Sequence, residues 1–215
     1  MSAGEREGVI KFGYEKLAAE PVAADCLAGL GAWRSVLRRL GVLGADPGRY
    51  GGYGFGNVSY RAPGRAEAGG ARFFISGSQT GHLERLGSEH WVEVTECDPE
   101  RNFLRARGIA APSAEAMTHA AVYAQDPRIR CVLHGHSPEI FAAAARLGLP
   151  QTGGEVEYGT PAMAREVARL FRDSAALRRL GCFVMAGHED GVVAFGRDAA
   201  QAGGRLVATL ARALS

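Results

Sequence analysis

The sequence predicts an α/β fold of the three-layer αβα type, in which a central, largely antiparallel sheet is flanked by helices. The chain has 215 residues, of which 47% are hydrophobic and 22% are charged, as expected for a soluble globular protein with a substantial core. Short apolar segments typical of strands are mixed with longer amphipathic segments typical of helices. They do not follow the strict strand–helix–strand alternation of a parallel sheet.

The first half of the chain supplies one helix and most of the predicted sheet. Residues 23–44 have apolar residues at helical spacing and end in glycine, which predicts an amphipathic helix. A glycine-rich turn then leads into a first short strand. Strands are predicted at 58–61, 72–81, 90–98 and 101–108. The turn residues Asp98-Pro99 separate the last two, which we therefore expect to form a hairpin.

In the second half, proline and glycine mark most of the predicted element ends. Helices are predicted at 112–127, 137–148, 160–173 and 198–214. Strands are predicted at 129–136, 181–187 and 191–196. Ser137 and Thr160 each precede a proline, the order expected for an N-cap residue and the first helical position.

Charge and cysteine content argue against several classes of protein, among them nucleic-acid-binding, membrane-binding and disulfide-rich proteins. The net charge is +2, so nothing suggests a nucleic-acid or membrane surface. The cysteines are widely scattered, without a metal-binding pair or disulfide density: Cys26, Cys97, Cys131 and Cys182. No signal peptide and no apolar run of about 18 residues is present. We expect a single cytoplasmic domain over residues 1–215, with 1–22 as an N-terminal extension.

Two histidines one residue apart, His134 and His136, end the apolar run at 131–136. Residues i and i+2 of a strand point to the same side, so the two imidazoles are expected to project together. They could form a hydrogen-bonded polar edge, or they could be metal ligands, since neutral imidazole is the commonest such ligand. His188 lies between two predicted strands. Alone it would be a loop histidine; with the other two it completes a three-imidazole set that leaves an open position.

Glu115 is predicted in the first turn of its helix, three residues after Pro112. Its carboxylate could complement the helix dipole or act beside the metal. His119 follows four residues later on the same helical face, where it could brace Glu115 or belong to the core.

Five ordered segments resemble the class II aldolase/adducin family: "GFGNVSYR", "FFISGSQTG", "PSAEAMTHAAVY", "CVLHGHS" and "GHEDGVVAFG". The resemblance runs from about residue 24 to the C-terminus. This family contains fuculose- and rhamnulose-phosphate aldolases, ribulose-phosphate 4-epimerases, methylthioribulose-phosphate dehydratase and the non-catalytic adducins. Its fold, a central antiparallel sheet covered by helices, agrees with the elements above.

Carried over by position, the resemblance implies one divalent metal ion per chain, most simply Zn²⁺, held by His134, His136 and His188. It implies that Glu115 moves protons beside the metal. The substrate-binding residues it implies, which would hold a phosphate, are Gly56, Asn57, Ser76, Gly77 and Ser113. It further implies a homotetramer with active sites near the subunit boundaries.

The chain departs from the family pattern at three places. The third histidine is followed by Glu-Asp-Gly, where the family has glycine directly. Ala114 replaces a second serine. The chain ends at Ser215 without the tail that carries a catalytic tyrosine in fuculose-phosphate aldolases, and its last tyrosine is Tyr158.

Breaking a C–C bond beside a carbonyl produces an enolate, which a lysine Schiff base or a Lewis-acid metal can stabilise. Lys11 and Lys16 are the only lysines, and both lie near the N-terminus, so the sequence favours the metal. We therefore expect a metal-dependent, aldolase-type lyase acting on a small hydroxycarbonyl compound, in particular a sugar phosphate, through a metal-stabilised enolate. The alternatives are a dehydratase or epimerase of a ketose phosphate, or a non-catalytic adducin-like binding module. Family epimerases carry aspartate at the position of Glu115, which counts against that alternative.

Overall fold

The structure, a computed structural model, describes residues 8–23, 25–63 and 71–215. The strands of the described part are β1 (Gly13–Ala18), β2 (Gly44–Ala45), β3 (Gly54–Phe55), β4 (Asn57–Arg61), β5 (Phe73–Ser76), β6 (Trp91–Asp98), β7 (Phe103–Arg107), β8 (Cys131–His136), β9 (Cys182–Val184) and β10 (Gly191–Gly196). β2 and β3 pair with each other, and the other eight form one sheet in the order β1-β7-β6-β5-β4-β8-β10-β9.

This main sheet is antiparallel at every neighbouring pair except β1–β7, which is parallel. The central, largely antiparallel sheet predicted from the sequence is therefore confirmed. The hairpin predicted around Asp98-Pro99 is also confirmed, since β6 and β7 are antiparallel neighbours.

The helices of the described part are α1 (Leu27–Arg39), α2 (Ala116–Gln125), α3 (Pro138–Ala142), α4 (Pro161–Asp173), α5 (Ala175–Leu180) and α6 (Ala199–Ala213). The predicted caps are confirmed: the Ser137 hydroxyl accepts from the Ile140 N–H (3.2 Å), and the Thr160 hydroxyl accepts from the Met163 N–H (3.3 Å). α1 ends five residues before the predicted glycine, because Gly41 already takes the left-handed conformation (φ +70°) that terminates helices.

Alternate residues of the central strands belong to two separate hydrophobic clusters. Val132 of β8 packs in a cluster with Met117 of α2, and the neighbouring Leu133 packs in the other with Leu30 of α1 and Leu206 of α6. Successive strand residues point to opposite faces, so helices bury both faces of β8. Each fully buried aliphatic side chain contributes about 1.5–3 kcal/mol, and β8 is therefore held rigidly in the middle of the sheet.

Several elements differ from the sequence expectation. The two-residue strands β2 and β3 were not predicted, and α3 ends at Ala142 instead of continuing to residue 148. β1 lies within the predicted N-terminal extension, where no strand was expected; its residues are mostly exposed and include Glu15 and Lys16, so apolar alternation does not reveal it. Residues 1–7 of that extension lie outside the described residues. α5 was also missed, because Ser174 ends α4 and at the same time caps a second short helix through the Leu177 N–H (3.1 Å).

The helix predicted at 112–127 begins later than expected. α2 starts at Ala116, and Glu115 is its N-cap residue instead of a member of its first turn. The preceding segment forms a turn in which the Ala116 N–H donates to the Ser113 carbonyl (3.0 Å). The helix ends at Gln125 because Asp126, which precedes Pro127, is extended, as expected for a residue before proline.

No helix within the described ranges combines the length and the hydropathy needed to span a membrane. All four cysteines are free thiols, two of them buried in the core.

Candidate metal centre and substrate cavity

His134 and His136 lie on the central strand β8 and are almost fully buried, at 0% and 1% exposure. Because they are two residues apart in a strand, their rings lie on one face, with centroids 5.0 Å apart. Gly135 between them faces the other side, where a Cβ would lie 2.5 Å from Val42 Cγ1 and 2.7 Å from the Val42 carbonyl oxygen. Only glycine at this position lets the chain around Val42 approach the strand.

His188 reaches the same place from the turn between β9 and β10. Its ring stacks against His134 at 5.3 Å between centroids and meets His136 edge-on at 4.7 Å. The turn is tight: the His188 N–H donates to the Met185 carbonyl and the Gly191 N–H donates to the His188 carbonyl, both at 2.9 Å. Each of the three imidazoles offers one ring nitrogen, and these nitrogens lie within 4.8 Å of one another.

Burial lowers the pKa of two histidines of this cluster. Desolvation lowers the pKa of His134 well below its usual value, and the nearby rings of His188 and His119 act in the same direction. Desolvation also lowers the pKa of His136, helped by His134, His188 and Arg49. The rings of His134 and His136 are therefore uncharged at neutral pH, which is the form that binds metal. Three convergent imidazoles fit a divalent cation with one position left open for substrate.

The carboxylate of Glu115 lies beside this cluster. Its Oε1 is 3.5 Å from Nε2 of His188 and 4.0 Å from Nε2 of His134, and the residue is 2% exposed. Among the described residues, the N-terminus of α2 receives no hydrogen bond from the Glu115 side chain. The carboxylate is therefore directed towards the histidines and not towards the helix end.

His119 has a different environment from the three clustered histidines. Its Nδ1 lies 2.7 Å from the Ser59 hydroxyl, which in turn lies 2.7 Å from the Tyr123 hydroxyl. All three residues are buried, and desolvation lowers the pKa of His119 to about 3. Of the two roles left open by the sequence, the structure places the His119 side chain in this core network.

Four of the five residues assigned to phosphate binding line one narrow cavity that also touches Glu115: Gly56, Asn57, Gly77 and Ser113. Asn57 is 7% exposed, and within the described part of the chain its Oδ1 has no hydrogen-bond partner. Gly56 has φ +74°, and a Cβ there would lie 3.1 Å from the His134 carbonyl oxygen. The loop is thus held against β8, and the buried acceptor oxygen of Asn57 borders the cavity.

The fifth residue, Ser76, lies apart from this lining. Its buried hydroxyl accepts a hydrogen bond from the Val58 N–H (3.2 Å), which ties β5 to β4. Ser113 uses its hydroxyl locally as well, accepting from the Glu115 N–H (3.3 Å). That bond holds the residue that carries the carboxylate at its place before α2.

The structure adds neighbours that the sequence did not indicate as part of the site. Tyr158, 1% exposed, lies with its ring 4.5 Å from that of His188. Its hydroxyl accepts from the Val9 N–H (3.2 Å), and the Lys11 ammonium lies 4.0 Å from its ring centroid. Gly8 belongs to the cavity lining. These contacts join residues that are distant along the chain, so no local pattern could have identified them.

A second group of rings surrounds His136. The Tyr50 ring lies 4.6 Å from it at an angle of 65°, and the Phe55 ring lies 5.5 Å from it. The Arg49 guanidinium stacks over both Tyr50 and Phe55 at 4.9 Å. Burial raises the pKa of Tyr50, so its hydroxyl stays protonated. All three residues belong to the glycine-rich segment 49–64, which gave no sign of this role.

Residues 48–213 match the family model of the class II aldolase and adducin N-terminal domain. The chain belongs to the class II aldolase/adducin family. The match spans most of the chain and includes the three histidines and Glu115, so the resemblance carried by the five motifs is confirmed. No curated protein sequence matches the chain significantly.

Solved structures of class II aldolases have the same fold. L-fuculose-1-phosphate aldolase from Thermus thermophilus is 19% identical, with a TM-score of 0.63 over 88% of this chain and 91% of the other. A sugar-phosphate aldolase from Thermotoga maritima is 16% identical, with a TM-score of 0.63 over 88% and 92%. YgbL from Escherichia coli, a candidate aldolase/epimerase/decarboxylase, is 17% identical, with a TM-score of 0.61 over 87% and 86%. At these identities the similarity establishes the fold of the family, and the reaction has to be argued from the site.

Proposed function

We propose that this class II aldolase family member is a metal-dependent lyase that cleaves or forms a C–C bond in a small hydroxycarbonyl compound, in particular a sugar phosphate. One observation carries the proposal: three convergent, buried imidazoles have a carboxylate beside them, with Glu115 Oε1 3.5 Å from His188 Nε2. An adducin-like binding role would not require this arrangement.

His134, His136 and His188 are the proposed metal ligands. Three imidazoles with an open fourth position are the donor set of catalytic zinc sites, and Zn²⁺ is the cation that we propose. When bound, such a cation supplies Lewis-acid stabilisation of the negative charge that develops on the substrate carbonyl oxygen.

Glu115 is the proposed proton carrier. A carboxylate that removes or returns a proton at the carbon beside the carbonyl needs to lie within reach of the bound substrate. Glu115 borders both the histidine cluster and the cavity lined by Asn57. The Ser113 hydroxyl holds its backbone in place.

The cavity is the proposed position of the substrate phosphate. Gly56, Asn57, Gly77 and Ser113 approach it from three segments of the chain. Backbone N–H groups at glycine turns come close to bound oxyanions, and the NH₂ group of the Asn57 side chain would be the donor to such a group. The Ser76 hydroxyl accepts a hydrogen bond from the Val58 N–H, next to Asn57, and so supports the same loop. Direct binding of phosphate by Ser76 stays a prediction.

Lys11 is the residue that a competing mechanism would use. Although it is near the N-terminus in sequence, its ammonium lies against Tyr158, which in turn contacts His188. It also forms an ion pair with Glu157 at 3.1 Å. A Schiff-base mechanism would therefore centre on Lys11, and the test of function has to separate it from the metal mechanism.

The test is the turnover of ketose 1-phosphates, beginning with L-fuculose 1-phosphate, by the metal-loaded protein, with products identified by NMR. Aldol cleavage would release dihydroxyacetone phosphate and an aldehyde. A chelator should abolish this cleavage. Protein treated with borohydride in the presence of substrate, and then freed of both, should keep its activity when metal and fresh substrate are supplied, since no imine forms. An isomeric ketose phosphate would identify an epimerase, loss of water a dehydratase, and binding without turnover a non-catalytic module.

The assembly proposed from the family is a homotetramer. Sedimentation at micromolar concentration tests it, and a monomer would contradict it.

A further inference from the structure

The loop that carries His188 contains two residues, Glu189 and Asp190, between the histidine and the glycine that follows it directly in the family pattern. In the structure the Asp190 carboxylate accepts a hydrogen bond from the Tyr50 hydroxyl at 2.7 Å. The Asp190 carbonyl accepts from the Ser137 N–H at 2.9 Å. Because Ser137 follows His136 directly, Asp190 connects the turn of one candidate ligand to the strand end of another.

Tyr50 makes the second connection. Its ring packs edge-on against the His136 ring at 4.6 Å, and its hydroxyl accepts from Arg49 Nη2 at 2.7 Å while donating to Asp190. Arg49 is held in turn by the Gly41 carbonyl at 3.2 Å. The phenol therefore has one donor and one acceptor partner, both oriented.

The backbone at both ends of this contact is in the left-handed region. Tyr50 has φ +48° and Asp190 has φ +57°. Aspartate tolerates such an angle, but for a bulky residue such as Tyr50 it is unfavourable and persists where the surrounding contacts determine it. Simple filling of space beside His136 would require only an aromatic ring, and would explain neither the left-handed backbone nor the paired hydrogen bonds.

We propose that Tyr50 and Asp190 are positioning residues that fix the His136 ring and the His188 turn relative to each other, and thereby set the affinity and geometry of the metal centre. This inference rests on the proposed metal centre and assigns roles to two residues for which the family resemblance implies none. Partners that orient metal ligands typically change metal affinity by about 10–100-fold when they are lost.

The test uses Tyr50→Phe, which removes only the hydroxyl, and Asp190→Ala, which removes the acceptor. Asp190→Asn keeps an oxygen acceptor and tolerates positive φ. Tyr60→Phe is the matched control, because it removes a phenol hydroxyl from a ring that packs with Arg130. Zn²⁺ and Co²⁺ affinities are measured by chelator competition, together with the visible spectrum of the Co²⁺ form and the thermal unfolding of the metal-free proteins.

We expect Tyr50→Phe and Asp190→Ala each to weaken metal binding by about 10–100-fold and to change the Co²⁺ spectrum. The double variant should lose no more metal affinity than the weaker-binding single variant, since both changes break the same hydrogen bond between Tyr50 and Asp190. The metal affinity of Asp190→Asn should stay closer to that of the wild type. The affinity of the control, Tyr60→Phe, should equal that of the wild type. If Asp190→Ala does not fold, the Tyr50→Phe and Tyr60→Phe pair decides the matter.

Wild-type affinity and spectrum in folded Tyr50→Phe would overturn the positioning role and leave the metal centre intact. Independent, multiplying losses in the double variant would overturn the pairing of the two residues. A wild-type protein that binds neither metal would reject the metal centre itself, a result distinct from the other two.

Discussion

Oε1 of Glu115 lies 3.5 Å from Nε2 of His188, in a position where both residues are at most 3% exposed. The carboxylate comes from the start of α2 and the imidazole from the turn between β9 and β10. Burying a carboxylate is costly unless it is paired, and the imidazoles of His188 and His134 are its neighbours here. Under the proposed function, the same position places the carboxylate within reach of a bound cation and a reacting carbon.

Glu115→Gln should keep the fold and the metal but lose proton transfer, because the amide has nearly the same shape and cannot accept the proton. Loss of a general base typically lowers the rate by about 10²–10⁴-fold. Solvent deuterium exchange into dihydroxyacetone phosphate, followed by NMR, measures this step alone. Glu100→Gln, on the exposed surface, is the control and should exchange at the wild-type rate. Unchanged exchange in the Glu115 variant would remove its assigned role.

Alanine at His134, His136 or His188 should each remove most of the bound metal, since three ligands are few enough that none is dispensable. Elemental analysis of the wild type should find about one divalent ion per chain. His82 is exposed, so His82→Ala should retain full occupancy. Full occupancy in all three cluster variants would mean that the ion, if present, binds elsewhere.

Asn57→Ala should weaken binding of inorganic phosphate to the metal-loaded protein by about ten-fold or more, because a hydrogen bond to a charged group contributes roughly 1.5–3 kcal/mol. Isothermal calorimetry gives the affinity. Ser76→Ala provides a contrast: it leaves the buried Val58 N–H without its partner and should lower the free energy of unfolding by about 1–3 kcal/mol. Phosphate affinity that is equal in Asn57→Ala and wild type would place the anion outside this cavity.

The stability of the metal-free protein should fall as the pH drops below about 6.5, in part through His119. Burial lowers the pKa of His119 to about 3, whereas in the unfolded chain it titrates near 6.5. Between these values the unfolded state takes up a proton that the folded state rejects, so this contribution is fully present above 6.5 and is lost towards pH 3.

At pH 5 the loss from this one residue amounts to about 2 kcal/mol relative to neutral pH. The free energy of unfolding is measured with denaturant at pH 7 and at pH 5. Its decrease between the two pH values should be smaller by that amount in His119→Gln than in the wild type. His82→Gln, on the surface, should behave as the wild type does. An equal pH effect in all three proteins would show that His119 does not titrate as its burial requires.

Local chemistry made much of the fold predictable. The N-caps at Ser137 and Thr160 and the hairpin turn at Asp98-Pro99 are determined by residues within a few positions of one another, and they were located correctly. β1 was missed because it is recognisable only through its pairing with β7, far along the chain. The start of α2 was misplaced because the Ser113 hydroxyl and carbonyl organise a turn that a capping pattern does not reveal.

The candidate site was predictable to the extent that it depends on strand periodicity. His134 and His136 share a face because they are two residues apart. His188 was indicated by its place between two predicted strands and Glu115 by its place at a helix start, and the family resemblance implied the same two residues. Tyr50, Tyr158 and Gly8 were not predictable, because each reaches the histidines or the cavity only through the order of strands in the sheet and the path of the N-terminal segment.

The two edges of the main sheet restrict how copies of this chain can associate. β9 is three residues long, and Gln151 forms a parallel bridge to its Val184. β1 carries Glu15, which forms an ion pair with Arg105 of β7. It also carries Lys16, whose ammonium donates to the Ile109 carbonyl. Short and charged edge strands oppose the addition of further strands. Growth of a continuous intermolecular sheet, including the kind that leads to aggregates, is thus disfavoured, and contacts through helices and loops are favoured instead.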